Sequence, residues 1–216
     1  MKISPADLHL DNWKLQLGKA AKGFVKDGIL NPELYSKAAI KVCFLCKDAN
    51  LTDSTDDHDC RIWLKDGAFT TFYYRLQEWA GGIQDDFPPI EELSEEAKHD
   101  AFMSSAIVNV KKTGGKGVAV YEDILHHAVT YKKLLHEQLS HIKPDMIILG
   151  LSYKEICEAV FPNVKWKSSG YHCDVALWKG IRLIDFYHPS SRNAPAASYS
   201  LLQNVINSNA FKTLIP

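Results

Sequence analysis

No stretch of this 216-residue chain approaches the ~18 consecutive apolar residues of a membrane-crossing helix, and Met1 to Asp7 lacks the apolar core of a secretory signal. Both lacks point to a cytoplasmic protein with no membrane partner. An excess of charge of one sign is missing too, since 25 Lys and Arg face 26 Asp and Glu for a formal charge of −1. Contact with a polyanion must therefore come from a local basic cluster. Cysteines number only five, an odd count that suits a reducing compartment better than a disulfide framework. The glycines and lysines of Lys111-Lys112-Thr113-Gly114-Gly115-Lys116-Gly117 lack the spacing of a Walker phosphate loop. That disfavours a nucleotide-handling enzyme of the common phosphate-cradling kind.

What is present is a globular composition, 46% hydrophobic and 24% charged, with no repeat or low-complexity tail, so residues 1–216 read as one domain. Residues from about 4 to 23 space their apolar side chains as a cover helix, with Pro5 in its first turn and Gly18 weakening its middle. Buried-strand runs follow at Ile40–Cys46, Ser105–Val110, Asp145–Gly150, Cys173–Trp178 and Ile181–Phe186, the last two forming a hairpin around Lys179-Gly180. Between them lie helical patterns at Gly67–Trp79, from about Ser94, at Val120–Ile142 and at Ala196–Ile206. Strands alternating with long helices predict an α/β three-layer αβα sandwich around a central, mostly parallel sheet.

Polar residues cluster where these strands end, the edge at which open α/β sheets hold ligands. Lys47-Asp48-Ala49-Asn50 follows the first strand, Asn109 ends the second, Ser152 follows the third, and His188-Pro189-Ser190-Ser191-Arg192 follows the last. Taken alone, each has a plain explanation: Asp48 caps a turn, Asn109 and His188 are loop residues, and Ser152 with Glu155 forms a capping box.

Taken in order, these segments resemble the signatures of the uracil-DNA glycosylase superfamily. Lys47-Asp48-Ala49-Asn50 is similar to its Gly-Gln-Asp-Pro-Tyr segment with the aspartate kept, and His188-Pro189-Ser190 to its His-Pro-Ser triplet. The resemblance spans about Ile40 to Leu202, through short segments. It implies a monofunctional DNA glycosylase that flips a pyrimidine out of single- or double-stranded DNA and hydrolyses its N-glycosidic bond, leaving an abasic site. Asp48 is then the carboxylate beside the sugar and His188 the donor to the pyrimidine O2. Asn109 reads the base edge and Trp63 stacks on the base, with Phe69 as competitor. Ser152 and Ser190 hold DNA phosphates. The basic loop, Lys111, Lys112 and Lys116, is read as a flexible clamp on phosphates or a plain connector, and Arg192 stands where uracil-excising members carry an apolar wedge.

The departures bear on which base is removed. Cys46-Lys47 replaces Gly-Gln, Ala49 the proline, and Asn50 the tyrosine that closes the pocket against substituents on C5. An open wall admits uracil or a C5-modified pyrimidine, with modified cytosines of phage DNA among the candidates, in repair or antiviral defence. No cofactor is expected and no metal: Cys43 and Cys46, three apart in a strand, face opposite sides and cannot chelate together. The acidic loop Thr52–Asp59 lacks the glycine and glutamate of a calcium loop and reads as solvated. The competing expectation is a non-catalytic glycosylase-like protein that binds nucleic acid or a partner. Protein partners and oligomeric state are not legible in the sequence.

Overall fold

The apolar runs that end in polar residues become the centre of a layered molecule, seen in a computed structural model that describes residues 4–51, 55–65 and 70–215. In chain order its elements begin with α1 (Pro5–Leu17), a 3-10 turn (Gly18–Ala21), β1 (Val25–Lys26), β2 (Gly28–Ile29), α2 (Pro32–Lys37) and β3 (Val42–Cys46). Then come β4 (His58–Asp59), α3 (Cys60–Lys65), α4 (Thr71–Gln84), α5 (Glu95–Met103), β5 (Ala106–Asn109), α6 (Tyr121–Thr130), α7 (Lys132–Ile142) and β6 (Met146–Leu149). The chain closes with α8 (Lys154–Val160), β7 (Lys167–Ser168), β8 (Asp174–Trp178), β9 (Ile181–Asp185), α9 (Pro195–Asn207) and α10 (Asn209–Lys212).

Strands β3, β5 and β6 are buried along their whole length, the pattern of a sheet covered on both faces. Alternate residues feed two separate cores. Phe44, Cys46 and Ile148 pack with α4, α5 and α9, whereas Cys43, Leu45 and Ile147 pack with α1, α6, α7 and α8. Cys43 and Cys46 thus lie on opposite faces, as strand geometry requires.

The sheet runs in the order β2-β5-β3-β6-β9-β8-β7. Its middle, β5-β3-β6-β9, is parallel, but β2, β8 and β7 join antiparallel at the edges, so the sheet is mixed where the sequence reading expected a mostly parallel one. The hairpin explains one edge: Trp178 pairs with Ile181 across Lys179-Gly180, whose φ values of 50° and 82° suit a two-residue turn. The single helix expected over Val120–Ile142 is two, parted at Tyr131, whose ring packs against Trp13 and His127. No helix among the described residues is long and apolar enough to cross a membrane.

One polar cluster sits inside these layers. Asp27 is 1% exposed and Lys112 is wholly buried, and the Lys112 Nζ lies 2.7 and 2.8 Å from the two carboxylate oxygens. Asp27 also accepts from the Asn109 backbone N–H at 2.7 Å, its carboxamide at 3.2 Å, and the Gln138 amide at 2.7 Å. The ammonium rests over the Trp13 ring, 4.9 Å from its centroid. Removing one partner of such a pair strands the other charge away from water, typically costing about 3–5 kcal/mol. Lys112→Met should lower stability to urea by that order, whereas Lys116→Met, at an exposed site, should change it by no more than about 0.5 kcal/mol. Equal effects of the two would show that the buried pair does not hold the fold.

Candidate functional site

The strand order reverses at β3, which has β5 on one side and β6 on the other. At such a switch point the connecting segments leave in opposite directions and open a crevice beyond the carboxyl ends of the strands. A cleft of about 460 Å³ lies there, lined by Lys47 after β3, Ser152 and Lys154 after β6, His172 and Cys173 before β8, and Asp185 to His188, Ser190 and Ser191 at and after β9. A second pocket, about 360 Å³, lies among α2, α4 and α5. It gathers none of the strand-end residues.

The His188 loop is held from three sides. Gly150 admits it, because a Cβ there would come within 3.1 Å of Pro189 Cδ. From below, buried Arg75 on α4 donates to the carbonyls of Asn193 at 3.0 Å and Ala194 at 3.4 Å, and to the Ser198 hydroxyl. Within the loop, the Ser191 N–H donates to the His188 carbonyl at 2.8 Å. The sequence reading missed Arg75, whose only signal is a cation inside the apolar stripe of an aromatic helix.

The state of the His188 ring follows from its neighbours. The Ser190 backbone N–H donates to Nδ1 at 3.1 Å, and a backbone amide can only donate, so Nδ1 is the bare nitrogen and Nε2 carries the proton. Burial, with the positive charge of Lys47 nearby, pushes the pKa down to about 4. Phe72 packs against the ring at 5.8 Å between centroids. The cleft therefore holds a neutral imidazole of fixed tautomer.

Asp48 lies at the shoulder of the cleft and does not line it. Its side chain is 6% exposed, with Lys111 Nζ 3.9 Å from Oδ2. Burial raises its pKa, while Lys111 and Lys47 pull it back. The carboxylate rests on Gly115, where an added Cβ would collide with Oδ2. The 111–115 segment is not the flexible loop expected from its glycines: Lys111 N–H bonds the Lys47 carbonyl, Gly115 N–H that of Ala49, and Gly114 N–H that of Gly23.

Other expected site residues divide. Ser152, Ser190 and His188 converge on the cleft, and Arg192 and Lys116 are exposed. Lys112 is no phosphate contact, because it is sealed against Asp27. Asn109 is 4% exposed and its carboxamide is turned to the same carboxylate, which takes it out of base reading. Asn50 is exposed and bridged through its backbone to Gly115. Trp63 packs partly buried against the α4 core, its indole N–H without a hydrogen-bond partner among the described residues. Phe69 lies outside the described residues. The capping box fails, since Tyr153 is the residue preceding α8 and no side chain caps it, while Ser152 takes a left-handed φ of 68°. Lys47 and Asp185 are cleft residues to which the sequence reading gave no role.

The acidic loop is compensated where it is described. Asp57 pairs with Lys14 and accepts from the Phe24 N–H, and Arg61 bonds Asp59 at 2.8 and 2.6 Å and reaches Asp7 at 2.8 Å. Among the described residues no group of three or more His, Cys, Asp or Glu side chains could hold a metal ion.

In a pH titration by NMR, His188 should keep the Nε2–H neutral signature down to about pH 5, well below the ordinary histidine pKa of about 6.5, and gain its proton near 4. A midpoint near 6.5 would contradict the buried geometry. Gly115→Ala should expel the Asp48 carboxylate toward water and bring its raised pKa down, while Gly117→Ala, with nothing within 4 Å of an added Cβ, leaves it unchanged.

No protein-family model matches this chain, and a search of curated proteins finds no match to it.

Proposed function

We propose that this chain is a DNA glycosylase, hydrolysing the N-glycosidic bond of a flipped-out pyrimidine. The observation that carries the reading is the fixed Nε2–H of neutral His188 in a cleft at the sheet's switch point. As a base leaves, negative charge spreads from its ring nitrogen onto the carbonyl oxygens, and a donor already aimed at one of them stabilises the transition state without reorganising. The sugar left behind becomes cationic. Asp48, at the shoulder, is the carboxylate for that side, and the cleft-lining Asp185 is its rival. Exposed Lys116 and Arg192 supply phosphate contacts, with Lys111 partly committed to Asp48 and Asp123. Asn50 does not itself line the cleft; it stands where uracil-excising members of the superfamily that the sequence resembles carry a tyrosine, and on that resemblance uracil or a C5-substituted pyrimidine is the proposed base.

A binding protein without catalysis is the second reading. It is favoured by the position of the Asp48 carboxylate, which packs on Gly115 and stays out of the cleft.

Oligonucleotides carrying uracil, thymine, 5-hydroxymethylcytosine or its glucosylated form, cleaved with alkali after incubation, separate the readings. Release by the native protein that falls about 10²–10³-fold in His188→Ala and in Asp48→Ala supports the first. A fall in Asp185→Ala alone moves the sugar-side role there, and no release from any oligonucleotide favours the second. If substituted bases are released, Asn50→Tyr should suppress them more than uracil. DNA affinity should fall steeply with salt, and Lys116→Ala with Arg192→Ala should flatten that dependence by about one unit of slope for each phosphate ion pair removed.

A further inference from the structure

The cleft contains a cation that the fold itself does not use. Lys47 leaves the end of β3 with its backbone fixed, its carbonyl bonded to the Lys111 N–H at 2.9 Å and the preceding Cys46 carbonyl to the Val110 N–H at 2.9 Å. Its side chain is half-buried and lines the cleft beside His188. Among the described residues its ammonium has neither a hydrogen bond nor an ion pair, unlike half-buried Lys26, Arg61 and Lys111, and where half-buried Lys41 and Lys132 share that lack, Lys47 alone of the three lines the cleft. Asp48, its neighbour in the chain, attracts the charge from the shoulder without pairing with it. Asp185, across the same cleft, forms no ion pair with it among the described residues; its carboxylate accepts from the Cys157 thiol at 3.6 Å, and burial raises its pKa. An uncompensated charge withdrawn from water is costly unless something arrives to pair with it.

We infer that Lys47 and His188 form an anion-stabilising pair that takes a planar, negatively charged heterocycle, with the ammonium supplying the charge and the neutral imidazole the oriented donor. The mutual influence of the two is visible in the ring, since the Lys47 charge helps to hold His188 unprotonated. A single neutral donor stabilises a departing anion modestly, and hydrogen bonds from charged donors are about twice as strong. Resting on the glycosylase reading, the heterocycle is the pyrimidine base at the moment of departure, and Lys47 becomes a second catalytic residue on the leaving-group side. No bond forms to Lys47, and the base leaves with the electron pair of the broken glycosidic bond.

The test uses free 5-nitrouracil, a ring already anionic at neutral pH, with binding read by difference absorbance and by calorimetry. The native protein should bind it. Lys47→Met and His188→Ala should each weaken binding by at least about tenfold, the scale of one hydrogen bond involving a charged group. Lys47→Arg, which keeps the charge, should stay within a few-fold of native, and thermal melting should show that every variant is folded. No binding by the native protein, or equal binding by Lys47→Met, overturns the inference; so does a weakening in Lys47→Arg as large as in Lys47→Met, which marks a packing role. Lys47-dependent binding without base release from any oligonucleotide keeps the pair and removes the glycosylase reading. Base release with binding indifferent to Lys47 does the reverse.

Discussion

The buried carboxylate of Asp27 is the constraint on which the cleft edge of the sheet depends. It draws in Lys112, Asn109 and Gln138, and thereby ties the short segment between β1 and β2 to the end of β5 and to α7. With Lys112 pinned inward, the residues after it run as a continuation of β5 beside the β3 end. Lys111 just before Lys112 and Gly115 after it both meet the Asp48 carboxylate, and the Lys111 N–H fastens the Lys47 backbone. A charge pair remote from the cleft thus fixes one wall of it. Such a pair adds little net stability over apolar side chains of the same shape, but it tolerates few alternative arrangements, because each leaves a buried charge unpaired.

The sequence was legible wherever local pattern and tertiary outcome agree. The apolar runs at Val42–Cys46, Ala106–Asn109 and Met146–Leu149 are too short for helices and sit between polar breaks, so both their strand character and their buried setting could be read. Ser94 before α5 and the Lys179-Gly180 turn were equally plain. Two-residue strands such as β2 and β7 have no period to detect. Lys112 misled because its neighbours Lys111, Gly114, Gly115 and Lys116 have the composition of a solvated loop, while its partner Asp27 stands 85 positions away. Asn109 ends an apolar strand and shares only the distant partner, Asp27 standing 82 positions away. His188, a candidate from its place after a strand, lines the cleft, but its tautomer depends on the Ser190 amide and its neutrality on burial, and neither is a property of sequence.

The cations of this protein sort into those spent on structure and those left over. Lys112, Arg61 and Arg75 are committed to carboxylates or carbonyls inside the fold, and Lys14 and Lys26 neutralise acidic residues around β1 and β4. Among the described residues, those left at the carboxyl edge are Lys47 and the more exposed Lys154 in the cleft, with exposed Lys116 after β5 and Arg192 after β9. A near-zero total charge therefore conceals a local asymmetry.

Helix α4 touches the His188 loop twice. Phe72 lies against the imidazole ring, and Arg75, one turn on, grips Asn193 and Ala194. The stretch between these grips behaves as a short span between two bearings on one rigid beam. Both of its ends are therefore referred to one helix, through side chains three residues apart. An extra residue between the two grips would have to bulge outward through exposed Ser190 and Arg192, and Ser190 is the residue whose amide holds the imidazole, so the length of this exposed stretch bears on the tautomer inside the cleft.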